Sequence, residues 1–126
     1  MSADLDRPID ADAADFDAAD LLARLDDDVD TAVELIDMLR ADVPTQVAEI
    51  RRALEAGDNR TLSFAAHSLK GALAALSAGN AARAALALEL AGRQQPIADG
   101  DALVMHLESA LTRAEHAFTR FCASVA

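Results

Sequence analysis

An all-α chain is predicted: an up-down-up-down four-helix bundle with one or two additional N-terminal helices. Three observations predict it. Hydrophobic residues make up 52% of the 126 residues but aromatics only 3%, and alanine and leucine, both strong helix formers, supply most of the apolar surface. Tyrosine and tryptophan are absent, and the β-branched residues never fall into an alternating, strand-like run. Apolar residues recur instead at three- and four-residue spacing, in blocks separated by short Gly, Pro, Asn and Asp punctuation. The length suits a single domain with one modest core. Residues 1–15 read as a flexible acidic leader, and 16–126 as the bundle domain.

The elements follow in order. A short helix is expected over 16–25, with Phe16, Leu21, Leu22 and Leu25 as its apolar side. The Asp26-Asp27-Asp28 run offers N-caps and favourable charge for the next helix, which is expected to end near Arg40 with Val29, Val33, Ile36 and Leu39 inward. Asp42 can cap a third helix, with Pro44 in its first turn and Val47, Ile50 and Leu54 inward. Gly57 stops that helix and Asp58 caps a fourth, over about 59–77. Gly79-Asn80 reads as a stop and a new cap, and the fifth helix spans about 81–94. Gln95-Pro96 ends it, and Asp99 to Asp101 opens a last helix running to about Cys122, with Leu103, Leu107, Leu111 and Phe118 in the core.

Charge narrows the function classes. Net charge is −11, yet residues 1–30 hold eleven Asp against Arg7 and Arg24, a net of −9, so the rest of the chain is close to neutral. No basic patch is visible, so no nucleic-acid partner is expected. No 18-residue apolar run exists and the N-terminus is acidic, so neither a membrane span nor a targeting segment is expected. The single Cys122 cannot form an internal disulfide, which agrees with a reducing cytoplasm. His106 and His116, ten residues apart, share no helix face, so no metal site is expected.

The fourth helix separates into two faces. At about 100° per residue, Leu62, Ala66, Leu69, Leu73 and Leu76 form the core stripe. His67, Lys70, Gly71 and Ala74 fall on the other side, flanked by Ser63 and Phe64. An ordinary surface histidine beside an ordinary lysine would look the same, but three features argue for a site. The chain uses ten Arg and one Lys, and that Lys lies one turn from His67. Gly71 inside a helix costs about 1 kcal/mol relative to Ala, which makes sense where something must approach the backbone. Phe64 on this outer face suits an apolar docking patch.

These residues resemble the histidine-containing phosphotransfer (HPt) family, whose His-x-Leu-Lys-Gly signature is read here as His67-Ser68-Leu69-Lys70-Gly71. The flanking Ala66, the later Leu88-Glu89 pair, Phe16-Asp17, Asp42-x-Pro44 and Gly57-Asp58 extend the resemblance over about residues 16–122. Two departures stand out. Where the family often carries Gly ten residues after the His, this chain has Ser77, and Gly79 is read as the shifted turn glycine. Ala81 replaces a larger aliphatic residue, which predicts looser packing there.

The resemblance implies a relay of the two-component type. His67 would accept phosphoryl on Nε2, which needs the proton on Nδ1 and an acceptor to hold it. Imidazole suits the role, since its ordinary pKa of about 6.5 leaves it mostly neutral in a cytoplasm. Glu89, a carboxylate in the apolar run from Ala84 to Ala91, is the candidate acceptor; a simple ion pair with Arg93 at i+4 is the equal alternative. Lys70 would offset phosphoryl charge, contributing about 1 kcal/mol in an open site. Ser63, Phe64, Gly71 and Ala74 would dock the partner. With no Gly-rich phosphate loop, phosphoryl would come from a receiver aspartate or a histidine kinase, including hybrid sensor kinases, and leave to a response-regulator aspartate. No cofactor is expected in this chain, and Mg²⁺ would sit on the partner receiver. A free-standing cytoplasmic monomer is expected, from Met1, the leader and the small contacts such transfer needs. Two other classes compete: a scaffold that sequesters a receiver without relaying, and a helical bundle that mediates oligomerisation.

Overall fold

The computed structural model describes residues 14–126, and among these every regular element is helical. A short helix α1 (Ala18–Arg24) precedes four long ones: α2 (Val29–Ala56), α3 (Asn59–Ala75), α4 (Gly79–Ala91) and α5 (Gly100–Val125). The long helices form a closed ring of neighbours, α2 on α3, α3 on α4, α4 on α5 and α5 back on α2, with α1 against α2. This is the expected four-helix bundle with one added N-terminal helix. Short links support it: Gly57, at φ 66°, ends α2, and Asp58 caps α3 by accepting from the Thr61 amide at 3.1 Å. Asp28 caps α2 in the same way through Thr31. The core joins Leu21, Ile36, Ile50, Leu62, Leu69, Leu73, Leu88 and Leu107, all essentially without solvent exposure. No helix among the described residues is long and apolar enough to cross a membrane.

The predicted break near Arg40 does not occur. α2 runs unbroken through Pro44, and Asp42 is an exposed residue inside it, capping nothing. Pro44 removes one amide from the hydrogen-bond ladder and crowds the carbonyl four residues back, at a typical cost of about 3 kcal/mol. The apolar stripe outweighs that cost. Ile36, Leu39, Val43, Ile50 and Ala53 keep one phase across the proline, and all except the partly covered Val43 are buried. Breaking the helix at Pro44 would rotate one half of this stripe out of the core.

The turn between α3 and α4 also differs from the expectation. Gly79 is not a displaced turn glycine; it is the first residue of α4, and Ser77 itself adopts the left-handed conformation, at φ 60°. A non-glycine residue pays for that geometry sterically, and hydrogen bonds offset it here. The Ser77 hydroxyl donates to Asp20 at 2.7 Å and accepts from Arg24 at 2.5 Å. Its carbonyl accepts from the Asp17 amide at 2.9 Å. A glycine could make only the last of these, so the serine ties α1 to the α3–α4 turn. Asn80 does not cap α4; its amide donates to Asp15 at 2.8 Å. Ala81 is fully buried.

Two residues assigned to the 1–15 leader, Ala14 and Asp15, are among those described. Asp15 is 7% exposed, and Arg113 donates to its carboxylate at 3.3 Å. The rest of the predicted leader, residues 1–13, lies outside the described residues. Phe16 precedes the α1 cap and packs edge-on against Phe118 and Phe121, with ring centres 4.8 and 5.6 Å away. At the other end α4 stops at Ala91 rather than 94, and α5 continues past the half-buried Cys122 to Val125.

Replacing Pro44 with alanine restores the missing amide on an exposed position of α2. Pro44→Ala is expected to raise the unfolding free energy by about 1–3 kcal/mol. Urea denaturation measures it, and a loss of stability would show that the proline ring is itself needed for packing.

Candidate functional site

The core stripe of α3 is as expected. Leu62, Ala66, Leu69 and Leu73 are fully buried and Leu76 is 4% exposed. That burial fixes the rotation of α3 and turns His67 outward, with 60% of its side chain exposed. Phe64 is 72% exposed on the same side, and Gly71 and Ala74 are also exposed. Ser63 lies half-buried at the seam between α3 and α4, where its hydroxyl donates to the Glu89 carbonyl at 3.3 Å.

Glu89 connects the two helices. It is one of two buried acidic side chains among the described residues, on a face of α4 otherwise made of Ala81, Ala84, Ala85 and Leu88. His67 Nδ1 lies 3.1 Å from its Oε2, and Lys70 Nζ lies 2.9 Å from its Oε1. Arg93 donates to the same Oε2 at 2.6 Å. The two sequence-based alternatives for Glu89 are therefore both present, on one oxygen. A carboxylate can only accept, so Nδ1 donates, and in the neutral ring the proton therefore sits there. Nε2 is left with its lone pair on an exposed ring.

The Lys70 hydrogen bond is the strongest influence holding the Glu89 carboxyl below its usual value of 4.5. Loss of water contact opposes it, and the His67 hydrogen bond and the charges of both partners add to it. A depressed carboxyl favours folding above its ordinary range. The stabilisation is complete above about 4.5 and disappears as pH falls through the lower folded value. Around neutral pH the Glu89 contacts are intact.

Gly71 and Gly92 differ in their surroundings. A Cβ on Gly71 would meet nothing within 4 Å among the described residues, so no packing among them requires glycine there. A Cβ on Gly92 would stand 2.9 Å from the Ser63 amide nitrogen and 3.1 Å from the Asn59 carbonyl oxygen. Gly92 thus lets the end of α4 close onto α3, which seats Glu89 under His67. Sequence reasoning passes over it, because a fifth helix expected over 81–94 and ended by Gln95-Pro96 leaves Gly92 as an unremarked residue of its last turn. Beside this seam opens a cleft of about 620 Å³, lined by Asn59, Arg60, Ser63, Phe64, His67, Glu89, Gly92, Arg93 and Gln95. Arg60 was also missed, although it lies two helical turns before His67 on the same face. His106 and His116 are exposed on α5, remote in sequence from this cluster. No three His, Cys, Asp or Glu among the described residues gather as a metal-holding group.

The family model of the Hpt domain matches residues 34–117 of this chain. Among solved structures, the HPT domain of the Hpt sensor hybrid histidine kinase from Shewanella is similar, with a TM-score of 0.75 and 25% sequence identity. The match covers 89% of this chain and 97% of that one. A comparison with curated proteins finds no match.

The two glycines have opposite expected responses. Gly92→Ala is expected to destabilise the fold by about 1–3 kcal/mol through overpacking against Ser63. Gly71→Ala is expected to stabilise it by up to about 1 kcal/mol through helix propensity. Chemical denaturation of both variants checks the pair. Carboxyl-detected NMR should also find Glu89 titrating below 4.5; a midpoint above that value would contradict the contacts described.

Proposed function

The chain belongs to the Hpt domain family, and we propose that it serves as a phosphorelay intermediate that carries phosphoryl on His67 between aspartates of partner receiver domains. The family implies histidine phosphotransfer, and Hpt domains generally exchange phosphoryl groups with receivers. The observation that carries the assignment is the pairing of His67 Nδ1 with the buried Glu89 on a ring that is 60% exposed. It supplies the tautomer, the orientation and the access that transfer through Nε2 needs.

The step balances as follows. The Nε2 lone pair attacks phosphorus, the N–P bond forms, and the P–O bond to the donor aspartate breaks. The carboxylate leaves with the electron pair. The ring keeps its Nδ1 proton, and Glu89 balances the positive charge this creates. Delivery reverses the sequence: a receiver carboxylate attacks, the N–P bond breaks, and its electrons return to Nε2. Both directions pass through a loose transition state with charge spread over three oxygens, so electrostatics and positioning are the levers available. Lys70 contributes by holding Glu89 and by its positive charge. Phe64, Gly71 and Ala74 offer an exposed surface of one aromatic ring and two small residues beside the nucleophile, with Ser63 at its edge, where a receiver could come close. An upstream histidine kinase is an alternative donor, and the cytoplasm is the compartment in which such partners would meet this chain.

Mixing the protein with a ³²P-labelled phospho-receiver tests the proposal. Acid-labile label is expected on the wild type, none on His67→Gln, and slower labelling on Lys70→Ala, by about fivefold to tenfold. Gly71→Leu is expected to keep its helix content but lose transfer. Label on His67→Gln would sink the assignment, and stable binding without label would favour a sequestering role.

A further inference from the structure

The last turn of α4 is capped from α3. Glu89 stands two residues before the end of α4, where carbonyls run out of helical amides. The Arg93 amide, which a continuing helix would give to the Glu89 carbonyl, bonds the Leu90 carbonyl instead at 3.1 Å. The Glu89 carbonyl accepts the Ser63 hydroxyl at 3.3 Å. Farther along, the Gln94 carbonyl accepts the Asn59 side-chain amide at 2.6 Å. A carbonyl only accepts, so the nitrogen of that amide, not its oxygen, faces Gln94.

Asn59, Ser63 and His67 follow one another at four-residue spacing on α3, so they share one face, about 6 Å apart along the axis. Their partners run the opposite way along α4: the Gln94 carbonyl, the Glu89 carbonyl and the Glu89 carboxylate. Gly92 passes between the first two rungs, where a Cβ would crowd the Asn59 carbonyl and the Ser63 amide. At its other end α4 has no side-chain cap. Helix ends open first when a protein fluctuates. Glu89 belongs to such an end, and opening of that turn would carry its carboxylate away from the ring. Arg93 lies just past the same turn and cannot secure it.

Building on the relay reading, we infer that Ser63 and Asn59 are positioning residues for His67: they cap α4 from α3 and thereby hold the Glu89 carboxylate on Nδ1. Neither is bonded to the reacting nitrogen. Ser63 is engaged by a backbone carbonyl, and Asn59 is eight residues, about 12 Å along α3, from His67. Their effect passes through the backbone of α4. Without it the ring turns more freely and its proton settles on either nitrogen, so the Nε2 lone pair is offered for only part of the time.

Paired variants test this without a protein partner. Asn59→Asp keeps the side chain's shape but removes the donor, and a carboxylate at the first residue of α3 suits that helix terminus. Ser63→Ala removes the nearer rung. Asp28→Ala, which removes the remote α2 cap, is the control for lost stability. Imidazole ¹⁵N NMR reads the tautomer, urea denaturation the stability, and ³¹P NMR the phosphohistidine formed with phosphoramidate. In that reaction the Nε2 lone pair forms the N–P bond, the P–N bond of the zwitterionic donor breaks, and ammonia leaves with the electron pair. The wild-type ring, when neutral, is expected to hold its proton on Nδ1. Ser63→Ala and Asn59→Asp are expected to admit the Nε2–H form and to slow phosphohistidine formation by about threefold to tenfold. Asn59→Gln, which keeps a donor, is expected to recover part of the rate. Asp28→Ala is expected to lower the urea midpoint with tautomer and rate unchanged. Wild-type tautomer and rate in Ser63→Ala and Asn59→Asp would overturn the inference and leave the relay intact, and so would equal changes in Asp28→Ala. The expected tautomer changes, with no phosphohistidine formed on the wild type, would keep the positioning role and remove the relay reading.

Discussion

The close approach of α3 and α4 is the constraint from which the site follows. Both helices are rich in small buried residues: Ala65 and Ala66 on one, Ala81, Ala84 and Ala85 on the other. At the end of α4, Gly92 stands where a Cβ would press on the Ser63 amide nitrogen. With the helix surfaces this near, a glutamate on α4 reaches a histidine on α3 directly. Larger aliphatic residues at the seam would hold the helix axes farther apart and leave the carboxylate short of the ring.

Burying that carboxylate carries a desolvation cost, and the structure meets it with three donors rather than one. Lys70 and His67 hold the Glu89 carboxyl below its usual value against the loss of water, and Arg93 bonds the same carboxylate. Their arrangement also divides the labour of the site. The Oε1 side is closed and partly covered by Lys70; the Oε2 side opens onto the cleft, with Arg93 and the imidazole sharing one acceptor. A single buried carboxylate thereby holds the ring and gathers two further cationic side chains beside it.

The other end of α3 is secured by different chemistry. Ser77 takes a backbone conformation that usually calls for glycine, and its side chain then bonds both Asp20 and Arg24 of α1. Asp15 joins α4 and α5 through Asn80 and Arg113. Asp15 and the residues that lead into α1 are thus tied to the bundle by polar contacts, and Phe16 anchors them to α5 by ring packing. These ties brace the turn that sets how α4 returns along α3.

The amino-acid sequence by itself determined the helical class, the phase of each apolar stripe, the caps at Asp28 and Asp58, and the outward face holding His67, Lys70 and Gly71. All of these are local, since periodicity and capping depend on residues within a few positions of one another. Reading Asp42 and Pro44 as a new start went wrong because a local stop signal was weighed above the stripe running from Ile36 to Ala53, which only a packed core rewards. The exchange of glycine for Ser77 was misread for a similar reason: its compensation comes from α1, more than fifty residues away in the chain. Tertiary structure alone decided that Glu89 meets His67, Lys70 and Arg93 together, and that Arg60 and Arg93 rather than Lys70 line the open cleft. Those facts depend on the distance and rotation between two helix axes. Side-chain volumes across the whole seam set that geometry, and no single motif encodes it.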